Sequence, residues 1–155
     1  GIILDVRGNP GGYMQGAIDL GSDFLDNGDV VVIEEEANGK KTQFKAEGTS
    51  RLIKEKLVVL VNGGSASASE ILSGALRDNN KTPLIGDKTF GKGTIQEPKQ
   101  LEGGAGLHIT IARWLTPSEF WVNGVGLKPD IEIEDDPATV EDEQLLRAIQ
   151  YINES

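Results

Sequence analysis

The sequence predicts an α/β layered domain with a mixed, partly parallel sheet and flanking helices. Three observations predict it. Residues 2–7 and 57–61 are short apolar runs that read as buried strands. Each is followed by a glycine-rich turn and then by a helical apolar pattern. A run apolar on successive residues needs cover on both faces, which alternating strands and helices supply.

The elements follow in order. After the first strand, Gly8-Asn9-Pro10-Gly11-Gly12 forms a turn, and a helix is expected over 14–25 with Met14, Ala17, Ile18, Gly21 and Leu25 on one face. Asn27-Gly28 ends it. Residues 30–36 and 41–47 flank Asn38-Gly39, a strong hairpin signal. The buried strand 57–61 runs into Asn62-Gly63-Gly64, and a helix is expected over 67–79 with Ala68, Ile71, Leu72, Ala75 and Leu76 as its apolar face. Residues 84–86 read as a short strand, 94–101 and 107–115 as two more around a glycine-rich turn, and 139–152 as a terminal amphipathic helix.

Composition narrows the function. A length of 155 residues at 37 % hydrophobic content suits one domain, residues 1–155. No stretch approaches the roughly 18–20 apolar residues that span a bilayer. The chain opens on an apolar run without an initiator Met, so a fragment of a longer protein is expected, with targeting segments lying elsewhere. A net charge of −10 disfavours nucleic acid as a partner, because phosphate binding needs clustered Lys and Arg. The acidic groups at Glu34-Glu35-Glu36 and across 130–143 read as solvated surface. With no Cys, thiol catalysis, disulfides and Cys-based zinc sites are excluded. The single His108 sits in an alternating strand, on its more polar face. No metal or cofactor is expected, and hydrolytic chemistry needs a base other than histidine.

Two glycine turns precede helices, and such junctions aim backbone N–H groups and a helix N-terminus at developing negative charge. The second reads Asn62-Gly63-Gly64-Ser65-Ala66-Ser67-Ala68-Ser69-Glu70. Its small side chains leave room for a substrate carbonyl to reach a hydroxyl, and a serine there lies in the positive end of the helix dipole. Ser67-Ala68-Ser69-Glu70 is equally a capping box, so local sequence leaves Ser67 open as a helix cap or a nucleophile. Lys92, in Phe90-Gly91-Lys92-Gly93-Thr94, follows an apolar strand. A lysine acts as general base only as the neutral amine, a form favoured by burial or a positive dipole. Gln96 could orient such an amine without adding charge. Asp78 lies eleven residues after Ser67, about 16 Å along the helix axis, and reads as structural.

Together these segments resemble the carboxyl-terminal processing peptidases. The blocks are Leu4-Asp5-Val6-Arg7-Gly8-Asn9-Pro10-Gly11-Gly12, Val61-Asn62 through Glu70-Ile71, Thr89-Phe90 through Ile95-Gln96, Ala112-Arg113-Trp114-Leu115-Thr116-Pro117 and Gly124-Val125-Gly126-Leu127-Lys128-Pro129-Asp130. They occur in the family's order. The resemblance implies a crotonase- or Clp-protease-like layered core, with Ser67 as nucleophile, Lys92 as base and Gln96 as the residue orienting it. It makes the backbone N–H groups of Gly12 and Ala68 the oxyanion hole.

The resemblance further implies cleavage of protein substrates near apolar C-termini through an acyl-enzyme. It implies a PDZ domain in cis, absent from this sequence, a homodimer formed through terminal segments, and a location outside the cytoplasm, in the bacterial envelope or periplasm. Two alternatives stand beside it. One is a non-catalytic module binding apolar ligands or peptides on the same fold; the other is acyl-CoA chemistry on the related crotonase fold, which works without a Ser–Lys pair.

Overall fold

The computed structural model describes residues 1–134 and 138–154. In chain order the elements are β1 (Ile2–Asp5), α1 (Met14–Ser22), β2 (Val30–Glu36), β3 (Lys41–Lys45), β4 (Leu57–Val61), α2 (Ala68–Asn80), β5 (Leu84–Gly86), β6 (Thr94–Gln100), β7 (Gly106–Leu115), β8 (Ile131–Glu132) and α3 (Glu143–Asn153). Among the described residues the strands form two four-stranded sheets. One, in the order β1-β4-β5-β8, is parallel throughout; the other, β3-β2-β7-β6, is antiparallel throughout. The parallel and antiparallel pairings expected of a mixed sheet are thus divided between two sheets.

The strand β4 explains why its sequence is apolar at every position. Val58 and Leu60 face α3, together with Ile3, Ile85, Leu145 and Ala148. Leu57, Val59 and Val61 face the opposite side, against Ala17 and Ile18 of α1 and Ile71, Leu72 and Leu76 of α2. Side chains alternate across a strand, so a strand covered on both faces must be apolar throughout. Trp114 of β7 and Val31 and Val32 of β2 join the second cluster, tying the antiparallel sheet to α2. β6 lies at a sheet edge, which is where a strand tolerates Pro98. His108, opposite Pro98, is exposed as expected.

Several boundaries differ from the sequence reading. β1 ends at Asp5, because the chain turns away at Arg7 and Gly8, the latter at φ +63°. α1 stops at Ser22, where Phe24 and Leu25 both donate to the Gly21 carbonyl and turn into the core. α3 begins at Glu143 rather than near 139, capped by Asp142, whose side chain accepts from Leu145 N at 2.8 Å. β8 was not expected, since two residues carry no periodic signal.

The acidic stretch across 130–143 is not uniformly solvated. Asp130 accepts from the Leu84 amide at the start of β5. Asp142 receives two hydrogen bonds from the Arg7 guanidinium, at 2.9 and 2.8 Å. Asp135 and Asp136 lie outside the described residues. Arg7 side-chain hydrogen bonds hold the Asp5 and Asp142 carboxyls below the ordinary carboxylate range. A carboxylate with a lowered folded-state pKa stabilises the fold above its unfolded value of about 3.9, and the contribution is lost as pH falls through the folded value. Thermal unfolding followed from pH 6 to pH 3 is therefore expected to show the midpoint falling below about pH 4. Asp142→Asn should make that fall shallower; an unchanged acid limb would remove Asp142 from the explanation.

Candidate active site

Because β1, β4 and β5 are neighbouring parallel strands, their C-terminal ends open on one edge of the sheet. Three segments leave from that edge: residues 8–12 after β1, residues 62–67 after β4, and residues 87–93 after β5.

The first two segments interlock. Asn62 Oδ1 accepts from the amides of Gly8 and Gly64, each at 2.9 Å. Ser65 Oγ donates to Val6 O at 2.8 Å and accepts from Asn62 N at 3.0 Å. Asn9 O accepts from Ala66 N at 3.0 Å and from Ser69 Oγ at 3.1 Å. Gly11, at φ +93°, lies so close that a Cβ there would sit 2.6 Å from Ala66 O and 2.8 Å from Ala68 N. The first turn is therefore pressed onto the entrance of α2, and only glycine fits at its point of contact.

Ser67 occupies that entrance with φ 54° and ψ −116°. An ordinary helix cap has extended backbone angles. A non-glycine residue held in a sparsely populated region costs about 1–3 kcal/mol and persists only where its surroundings enforce it. The enforcing groups are visible: Ser67 N donates to Glu70 Oε2 at 3.0 Å, and Ile71 N donates to Ser67 O at 2.9 Å. The side chain is only partly buried.

Glu70 joins the third segment to the second. Its side chain is fully buried, at 0 % exposure. Oε1 accepts from Thr89 Oγ1 at 2.5 Å and from Gly91 N at 2.8 Å. Oε2 accepts from Lys92 N at 2.9 Å as well as from Ser67 N. Four donors converging on two oxygens match an acceptor-only carboxylate, and the position of Glu70 in the first turn of α2 places it in the favourable end of the helix dipole. Phe90 N adds a bond to Ser65 O at 3.0 Å. On its other side the segment is threaded against residues 121–126. A Cβ on Gly91 would lie 2.8 Å from Gly126 N, and one on Gly93 would lie 2.8 Å from Asn123 N. Trp114 Nε1 donates to Lys92 O and Trp121 Nε1 to Gly93 O, at 2.9 and 3.0 Å. The glycines beside Lys92 are thus packing requirements of a fixed segment.

Beside Ser67, Gly12 and Ala68 line one cavity of about 290 Å³ with Leu4, Val6, Leu20 and Leu72. Among the described residues neither the Gly12 nor the Ala68 amide donates to a protein acceptor. The structure therefore ties the backbones of Ser67 and Lys92 to one carboxylate oxygen and sets Gly12 and Ala68 on one cavity beside Ser67. Gln96 lies on the exposed edge strand β6, just past a bulge at Ile95/Gln96, paired with Thr110 of β7, and its side chain makes no hydrogen bond among the described residues. Asp78 sits at the far end of α2. Burial alone would raise its carboxyl, but hydrogen bonds from Thr116 and Ser118, with Arg77 nearby, hold it below the ordinary range. Its Oδ2 accepts from Ser118 N at 3.0 Å, so it secures the turn after β7.

Sequence reasoning missed the reach of Glu70, which it read only as half of a capping box. The box was visible; the donors from Thr89, Gly91 and Lys92 were not, because they arrive across a sheet. Replacing Glu70 by Gln puts an amide N–H₂ against two of the four donors. We expect a loss of about 2–4 kcal/mol in denaturant unfolding. Wild-type stability in Glu70→Gln would show that the four-donor arrangement is not what holds the segments together.

The chain is 45 % identical over 134 residues to the carboxy-terminal processing protease CtpA of Bacillus subtilis, covering 86 % of this chain and 28 % of that protein. It is 40 % identical over 134 residues to the chloroplastic C-terminal processing peptidase of Tetradesmus obliquus, covering 86 % of this chain and 29 % of that one. It therefore spans less than a third of either relative. Among solved structures, the photosystem II D1 C-terminal processing protease superposes with a TM-score of 0.78 at 35 % identity, over 94 % of this chain and 37 % of that one. Residues 1–133 match peptidase family S41, and the chain belongs to that family.

Proposed function

We propose that this domain hydrolyses peptide bonds near protein C-termini, with Ser67 as nucleophile and Lys92 as its general base. The observation that carries the proposal is the shared acceptor: one oxygen of buried Glu70 holds the backbone N–H of both residues. Ser67 completes a capping box with Glu70, and its strained backbone supports a role beyond capping, since capping alone calls for extended angles.

In this reading the neutral Lys92 amine takes the Ser67 Oγ proton as Oγ attacks the substrate carbonyl carbon. The carbonyl oxygen becomes an oxyanion, held by the unused amides of Gly12 and Ala68. The lysine then protonates the departing amine, leaving an acyl group on Ser67 Oγ. It next takes a proton from water, which attacks the acyl carbon, and returns that proton to Ser67 Oγ as the acyl–oxygen bond breaks and the new C-terminus leaves. The apolar cavity beside Gly12 and Ala68 suits an apolar substrate side chain next to the scissile bond, which supports substrates with apolar C-termini. Gln96 is the orienting residue only by resemblance, and is the separable part of the proposal. A PDZ domain in cis, a homodimer and work outside the cytoplasm belong to the same proposal, supported by the resemblance.

The test is peptide hydrolysis by the full-length protein. Ser67→Ala and Lys92→Ala are each expected to lower kcat/KM by about 10²–10⁴-fold or more, while Gln96→Ala should cost less. A peptide ending in apolar residues should be cut faster than one ending in charged residues. Near-normal turnover in either Ser67→Ala or Lys92→Ala would overturn the assignment.

A further inference from the structure

A second polar cluster, centred on Arg7, joins the same segments. Arg7 is the first residue after the last sheet contact of β1, Val6 N to Leu60 O. A guanidinium has five N–H donors, and here they serve three side chains. Nε and Nη2 donate to the two oxygens of Asp5 at 3.0 and 2.7 Å. Nη1 and Nη2 donate to the two oxygens of Asp142 at 2.9 and 2.8 Å. Nη1 also donates to Gln144 Oε1 at 3.1 Å.

Gln144, in the first turn of α3, is 1 % exposed. Its carbonyl oxygen accepts from Arg7, and its amide nitrogen donates to Asp87 Oδ2 at 3.1 Å and to Ile133 O at 2.8 Å. Asp87 opens the segment that ends in Lys92, and its own amide donates to Val61 O at the end of β4. One buried amide therefore touches the start of the 8–12 turn and the start of the 87–93 segment. Gly86, at φ +124° with its missing Cβ directed onto the Val61 carbonyl, packs against it: a Cβ there would also lie 3.3 Å from Gln144 Cδ. Asn and Gln are rarely buried unless both ends are partnered. Full partnering at this junction fixes both the position of the side chain and the spacing of what it binds. Gln144 lies beyond residues 1–133, the part that matches family S41.

We propose that Gln144 is a positioning residue of the peptidase site: through Arg7 and Asp87 it sets the spacing between the turn that carries Gly12 and the segment that carries Lys92. Glu70 holds the Lys92 backbone to that of Ser67; Gln144, through Arg7 and Asp87, holds the Lys92 segment to the Gly12 turn. A residue in this position changes the alignment of the oxyanion amides with the base rather than the binding of the ground-state peptide. Its loss therefore acts on kcat more than on KM. This rests on the reading of Ser67 and Lys92 given above.

The experiment measures kcat and KM for peptide hydrolysis by the full-length protein, at a temperature where circular dichroism shows each variant folded. Gln144→Glu keeps the acceptor for Arg7 and sets a carboxylate against Asp87. Gln144→Leu removes both links, and Leu146→Ala, on the exposed side of α3, is the control. Both Gln144 variants are expected to lose about 10–100-fold in kcat, as small misplacements of reacting groups do. KM should change less than about threefold, and Leu146→Ala should leave both constants alone. Asp87→Asn in the Gln144→Glu background should recover part of the lost kcat, by restoring a donor between the two side chains. A folded Gln144→Glu with wild-type kcat would overturn the proposal. So would a loss confined to KM, or the absence of any recovery with Asp87→Asn. Should Gln144→Leu not fold, Gln144→Glu and its Asp87→Asn partner decide alone. A wild-type protein without Ser67-dependent turnover would instead overturn the reading of the site, and this inference with it.

Discussion

A single buried carboxylate organises this fold's working edge. Among the described residues Glu70 has no cationic partner, and enclosing it is costly unless hydrogen bonds replace lost hydration. Four donors and the end of the α2 dipole replace it. The donors come from both sides of the site, so satisfying the charge and assembling the site are one event. The unusual backbone of Ser67 persists for the same reason: its amide is tied to Glu70, and Gly11 is packed against the turn that contains it. Neither residue would hold its conformation alone.

The layout of the sheets makes this convergence available. Parallel strands send their connections out of the same edge, and a central strand covered on both faces has little freedom to shift register. β1, β4 and β5 therefore deliver three segments to one place with fixed spacing. The segment after β5 then crosses into the antiparallel sheet as β6, which places Lys92 at the passage from one sheet to the other. Tryptophans 114 and 121 clamp that passage by donating to the carbonyls of Lys92 and Gly93. Rigid support of this kind suits a site whose chemistry depends on alignment.

Much of the architecture was legible because it rests on local periodicity. β4 was placed at its observed bounds from an apolar run, and the hairpin at Asn38-Gly39 from its turn residues. Boundaries failed where tertiary contacts outrank periodicity. α1 stops early because Phe24 and Leu25 are drawn into the core, and α3 starts late because Asp142 both caps it and pairs with Arg7. The acidic stretch read as surface contributes two structural carboxylates, Asp130 and Asp142, since charge alone does not reveal a donor that arrives from a distant part of the chain.

By itself the sequence determined the class of fold, the absence of thiol chemistry, the unsuitability of its one histidine, and which serine and lysine deserved attention. Those conclusions need only residue type, spacing and resemblance. It did not determine that the two glycine turns press on one another, that Glu70 links Ser67 to Lys92, or that Gln144 joins Arg7 to Asp87. The bonds that join the separate segments run between residues 19 to 137 positions apart, and no local pattern encodes them. Only the parallel sheet, by bringing three strand ends to one edge, decides that they meet.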